Sequence, residues 1–175
     1  MNMKEISGQV VARLQQGDSR EKIYNALAGP APKDAGKIAY CIASVPDEQL
    51  RQGYIRHNAA LVLLLIAYSI LTLITGLPID PEAPTLFLAI RTVIPLIFSY
   101  FVFHFHGGVY RVAGIWFVID LLETILLTGV PEILDAVKLL VLFATVVLMF
   151  LIARKVFPNL GVIGPKKDAA GHYLF

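Results

Sequence analysis

Four ionisable side chains interrupt the most apolar part of this 175-residue chain: Arg91, Asp120, Glu123 and Lys138. A charge inside a bilayer costs on the order of 2.5 to 3.5 kcal/mol on insertion scales, so such groups turn toward the protein interior and pair with one another. Asp120 and Glu123 are three residues apart, which puts both carboxylates on one face of a helix. Two acids and two bases balance. Two kinds of chemistry suit the set. One is a proton or ion path in which the carboxylates relay while Arg91 and Lys138 set their proton affinity. The other is a buried salt-bridge network that fixes helix register.

The neighbouring residues are polar but uncharged. Pro95 has no N–H to offer the carbonyl of Arg91, which predicts a kink near the middle of its helix and an acceptor open to a cation, a water or Lys138. Tyr68, Ser69 and Thr72, with Thr75 above them, supply hydroxyls for a polar interior or for hydrogen bonds between helices. His104 and His106 are two residues apart, so on a helix they do not share a face, and no cysteine or acid stands close by; no metal site is expected. The chain carries no phosphate-binding glycine loop, dinucleotide fingerprint, nucleophile elbow or zinc-protease motif, so neither catalytic residues nor a cofactor is expected.

The elements that would position these groups follow from composition. With 57% hydrophobic and 16% charged residues, the chain is too apolar for an ordinary soluble domain of its size. Its single cysteine, Cys41, excludes an intramolecular disulfide. Four apolar segments, 59–77, 85–105, 112–129 and 133–152, each approach the roughly 20 residues that span a bilayer core of about 30 Å. The links 78–84, 106–111 and 130–132 are short, which forces antiparallel neighbours within a transmembrane bundle covering 57–156. Arg91, Glu123 and Lys138 then lie at one depth, about 9 Å below the outer boundary, with Asp120 near the midplane. Arg51 and Arg56 precede the first span, Arg111 lies between the second and third, and Arg154, Lys155, Lys166 and Lys167 follow the fourth. The other two links carry only Asp80, Glu82 and Glu132. This pattern places both termini in the cytoplasm. Tyr100, Phe101, Phe103, Phe105, Tyr110, Trp116 and Phe117 gather at the inner interface as an aromatic belt.

Residues 1–56 hold 8 of the 15 Lys and Arg and no long apolar run, and charges interrupt every window in which a secretory signal would need its apolar core. Ile6, Val10 and Leu14 mark an amphipathic helix that stops at Gly17. A second helix, capped by Asp18 or Ser19, carries Ile23 and Leu27 up to the break at 29–32. A third spans about 33–44 with Ile38, Cys41 and Ile42. Pro46 and Asp47 open a fourth that runs straight into the first span. These helices form a small cytoplasmic domain whose few apolar positions give it marginal stability alone. The stretch 14–23 has the outline of a helix-turn-helix, but its charges alternate in sign, so nucleic acid is not an expected partner. Residues 157–175 form a cytoplasmic tail in which Gly and Pro preclude a helix.

The sequence thus predicts an all-α polytopic membrane protein of the bacterial inner membrane, with four transmembrane helices in an antiparallel bundle and an N-terminal helical domain. The expected function is that of an interaction or accessory subunit, with the lipid bilayer and a protein partner or a second copy as its contacts. The alternatives are a small oligomeric transporter or proton-coupled channel using Asp120 and Glu123, and a membrane enzyme acting on lipid.

Overall fold

A computed structural model describes residues 2–76, 85–127 and 132–175. The links expected at 78–84, with Asp80 and Glu82, and at 130–131, and the segment ends 77 and 128–129, lie outside the described residues. Among the described residues 78% are helical and there is no strand, so the protein is all-α. Seven α-helices follow in order: α1 (Met3–Gln15), α2 (Arg20–Ala28), α3 (Ala35–Ser44), α4 (Glu48–Thr75), α5 (Thr85–Phe103), α6 (Gly107–Leu127) and α7 (Ile133–Val156).

Local chemistry sets the ends of the first helices. Asn2 Oδ1 accepts from the Lys4 N–H while the Asn2 N–H donates to Glu5, a capping box that starts α1. The helix stops where Gly17 takes φ +85°, with the N–H groups of Gly17 and Asp18 returning to the carbonyls of Leu14 and Arg13. Ser19, rather than Asp18, caps α2. A 3-10 turn at Pro32–Asp34 leads into α3. The guanidinium of Arg20 donates to the carbonyls of Ile42 and Val45, both at 2.8 Å, and so closes the C-terminal end of α3. Burial pulls the pKa of Arg20 down, and the nearby Asp47 carboxylate offsets part of that.

Ile6, Val10, Ile23, Leu27, Ala28, Ile38, Cys41 and Ile42 bury together as one core, with Leu14 at its margin. All of these but Ala28 are apolar positions read from the sequence. Burial also raises the Cys41 thiol, which keeps it protonated and unreactive. The C-terminal tail adds a contribution that the sequence reading did not specify. It folds back without a helix through isolated bridges at Leu160–Pro165 and Lys167–Tyr173, and it sets Tyr173 and Phe175 against Tyr24 at 5.6 and 5.0 Å.

Asp47 accepts from the N–H groups of Gln49 and Leu50 and starts α4, which then continues for 28 residues without a break. Helices α4 and α7 are long and apolar enough to cross a membrane. The apolar stretch of α5, Leu88–Phe103, is shorter, and α6 carries Arg111, Asp120 and Glu123 within its 21 residues. Helix α4 packs along both α5 and α7, and α6 packs along α7, whereas α5 and α6 touch only sparingly. The buried stripe of α7 repeats at Leu142, Thr145, Val146, Met149, Ile152, Ala153 and Val156, and that of α6 at Tyr110, Ala113, Phe117 and Asp120.

Two details of the α5–α6 connection differ from expectation. Helix α6 begins at Gly107, so the link is only His104 to His106 and Arg111 lies inside the helix. The turn is made by Phe105 at φ +55°, a conformation usually left to glycine, with the His106 N–H returning to Phe101 and the Phe105 N–H to Val102. The strain is offset by burying the Phe105 ring. Phe105, Tyr110 and Phe117 therefore belong to the core rather than to an interfacial belt, while Tyr100, Phe103 and Trp116 stay exposed. Gly107 is needed here because a Cβ would sit 2.7 Å from the Phe157 ring and 3.0 Å from the Ser44 carbonyl oxygen.

The N-terminal core thus leans on Phe175 of the tail and, through Ser44 and Tyr40 of α3, on Gly107 and Gly108 of α6. A fragment of residues 1–56, lacking both supports, is expected to melt without cooperativity and to give poorly dispersed amide resonances. The same residues in the full chain should resist limited proteolysis. A cooperative melt of the fragment would show the domain to be autonomous.

Candidate functional site

The α6 stripe that buries Tyr110, Ala113 and Phe117 reaches Asp120 next in register, so the carboxylate is carried inward with the core. Glu123 follows one turn later on the same face. Opposite them on α5 stands Arg91. Its Nη2 lies 2.5 Å from Glu123 Oε2 and 3.2 Å from Asp120 Oδ1, so one guanidinium serves both acids. From α4, the Tyr68 hydroxyl donates to Asp120 Oδ2. The Tyr68 ring meets Phe117 edge-on at 5.7 Å. The three groups differ in burial: the side chains of Asp120, Arg91 and Glu123 are 8%, 22% and 39% exposed, so Asp120 depends most on its partners.

Lys138 is placed differently from expectation. It was expected to pair with one of the two acids, but its ammonium sits over the Tyr68 ring, 5.9 Å from the centroid, and it forms no ion pair among the described residues. A cation over an aromatic face is a recognised, weaker substitute. Lys138 thus joins the cluster through Tyr68, and the pairing is two acids to one base with the second base held by a π face.

The remaining residues singled out in the sequence also lie close by. Helix α5 runs through Pro95 as a continuous helix, and the Thr92 carbonyl, one residue beyond Arg91, takes a donor from outside the helix. Ser69 of α4 donates to it at 2.5 Å. The Thr72 hydroxyl is buried beside Tyr68 without hydrogen-bond geometry to any described group. Thr75 bonds back to the Leu71 carbonyl of its own helix. His104 and His106 sit in the turn rather than on a helix, with ring centroids 6.2 Å apart.

A second polar tie was not foreseen. Asn58, 3% exposed, donates from its side-chain amide to the Val102 carbonyl at 2.8 Å and accepts from the Tyr110 hydroxyl at 2.6 Å. This joins α4, α5 and α6 at the opposite end of the bundle from the charges. An asparagine one residue before an apolar run, inside a helix that begins ten residues earlier, was the available signal.

Comparison with protein-family models, with curated proteins and with solved structures gives no match. The arrangement itself is a polar clasp across the sparse α5–α6 seam, with α4 contributing Tyr68 and Ser69 from behind.

Neutralising Arg91 alone leaves Asp120 buried without a counter-charge, so Arg91→Gln should lower the thermal midpoint in detergent micelles more than Arg91→Gln with Asp120→Asn. The coupling between those two positions is expected at about 1–3 kcal/mol. Arg91 and Glu123, in direct contact, should likewise couple rather than add. Additive effects at both pairs would remove the clasp as a source of stability.

Proposed function

We propose that this chain is a polytopic protein of the bacterial inner membrane, crossing it four times through α4, α5, α6 and α7 with both termini in the cytoplasm. In this reading it acts as an interaction or accessory subunit rather than as an enzyme. The observation that carries the reading is that both α6 carboxylates are occupied by partners inside the fold, Arg91 and the Tyr68 hydroxyl. Such commitment suits a network that fixes helix register. The apolar length of α4 and α7 supports a membrane location. The pairing of Asp120 and Glu123 with Arg91 supports the inclusion of α5 and α6 in the same bundle, because a paired charge is tolerated where a lone one is not. The distribution of Lys and Arg supports the orientation.

A second reading, a proton-coupled channel or transporter, is favoured by one observation: Glu123 remains 39% exposed while holding Arg91, so one relay carboxylate is not enclosed by the fold. The two readings separate in liposomes. An accessory subunit gives no pH-driven flux above empty vesicles. A relay gives flux that Asp120→Asn with Glu123→Gln abolishes while the fold persists.

Orientation is checked by labelling in a Cys41→Ser background. Asp80→Cys and Glu132→Cys should react with an impermeant maleimide added outside intact cells, and Lys166→Cys should react only after permeabilisation. The reverse pattern would invert the topology.

A further inference from the structure

Beyond α7 the chain folds into a narrow strip held by backbone pairing. The Lys166 N–H donates to the Asn159 carbonyl at 2.8 Å and Leu160 bridges Pro165, so residues 161–164 form the tip of a tight turn. Across that tip the Gly161 N–H donates to the Gly164 carbonyl at 2.6 Å. A Cβ on Gly161 would lie 2.8 Å from the same carbonyl oxygen, so the turn requires glycine there. On either side of the tip the strip is covered by protein. Leu160 is buried in the bundle core with Val156 and Phe157, while Tyr173 and Phe175 rest on Tyr24. The tip itself is bare: Val162 and Ile163 are 52% and 101% exposed. Two adjacent aliphatic side chains on a built turn are thus left without the burial that the other apolar groups around them gain.

The charges around the tip select what covers it. Arg154 and Lys155, in the last turn of α7, and Lys166 and Lys167, just past the tip, are all exposed, and none forms an ion pair among the described residues. The one acid between 156 and 175, Asp168, accepts from the N–H groups of Ala170 and His172. Four cations flanking two bare aliphatic side chains match a surface that is anionic outside and apolar beneath. A cytoplasmic leaflet has that layering. Reach fits as well. Ile163 is three residues past Leu160 and so lies at most about 10 Å from it, close to the depth of the headgroup zone beside a bilayer core. Because α7 already tethers the turn at the membrane, even a weak insertion is populated.

We infer that the 161–164 turn inserts Val162 and Ile163 into the cytoplasmic leaflet, with Arg154, Lys155, Lys166 and Lys167 on the headgroups of anionic phospholipid. The inference rests on the membrane reading, in which α7 ends at that leaflet. The chain has one tryptophan, Trp116, so Trp116→Phe with Ile163→Trp moves the fluorophore to the tip, where full exposure accepts the larger ring without repacking. The full-length protein is reconstituted in vesicles of phosphatidylcholine, alone or mixed with phosphatidylglycerol, whose acyl chains are brominated near the headgroup as a quencher. The tip tryptophan should be quenched in the mixed vesicles and markedly less in phosphatidylcholine alone. Adding Lys166→Gln and Lys167→Gln should lower the ratio of inserted to free tip by about thirtyfold and restore its emission in the mixed vesicles. An unquenched tip in the mixed vesicles would overturn the insertion. Quenching that ignores both phosphatidylglycerol and the two lysines would overturn the anionic partner. Trp116 of the unaltered protein, 40% exposed on α6, tests the membrane reading separately. If it is quenched while the tip is not, only this inference is lost; if it too is unquenched, the membrane reading itself is lost.

Discussion

The carboxylate of Asp120 has to be carried inward, because it occupies the next position on the stripe that buries Tyr110, Ala113 and Phe117. A buried anion is tolerable only if donors meet it there. Arg91 and Tyr68 are those donors, and they come from two different helices. One carboxylate thereby dictates where α5 and α4 stand relative to α6. The dependence is strongest where packing is weakest, since α5 and α6 touch only sparingly. Along that seam polar groups take over the role that interdigitated side chains play between α4 and α7.

The seam is held at two levels. At one end Asn58 joins the Val102 carbonyl to the Tyr110 hydroxyl; at the other, Arg91 holds the α6 acids, and Ser69 ties α4 to the backbone of α5 at Thr92. In every case α4 contributes or supports the bond. Hydrogen bonds are directional where dispersion is not, so two such levels fix both the rotation and the axial register of a helix that greasy contacts alone would leave free to slide.

Much of this was legible because it is local or periodic. Ser19 and Asp47 are cap residues followed by apolar repeats, so the starts of α2 and α4 could be read off within a residue or two. The N-terminal core at Ile6, Val10, Ile23, Leu27, Ile38 and Ile42 follows from spacing alone. Spacing also puts Asp120 and Glu123 on one face. What escaped required knowing how helices rotate against one another. Depth along a span puts Lys138 level with Arg91 and Glu123; only the azimuth of α7 decides that it meets the Tyr68 ring instead. Phe105 escaped for another reason: nothing in its type marks it for positive φ, and the burial that offsets the strain is a tertiary fact. The inward position of Tyr110 and Phe117 was hidden likewise, because an aromatic near a membrane boundary suits either a belt or a core. The tail carried no periodic signal, so its return to Tyr24 was not legible in the sequence.

The unbroken run of α4 from Glu48 to Thr75 has a mechanical consequence. A helix of 28 residues is about 42 Å long and stiff on that scale, so it works as a lever rather than as a hinge. Each degree of tilt about its Thr75 end moves Glu48 by about 0.7 Å. Tyr68 and Ser69 sit on the short arm, and Arg51 on the long one. A small adjustment at the clasp is therefore magnified severalfold where the N-terminal helices meet the α5–α6 turn, and a load applied to those helices reaches the clasp with its displacement reduced and its force increased.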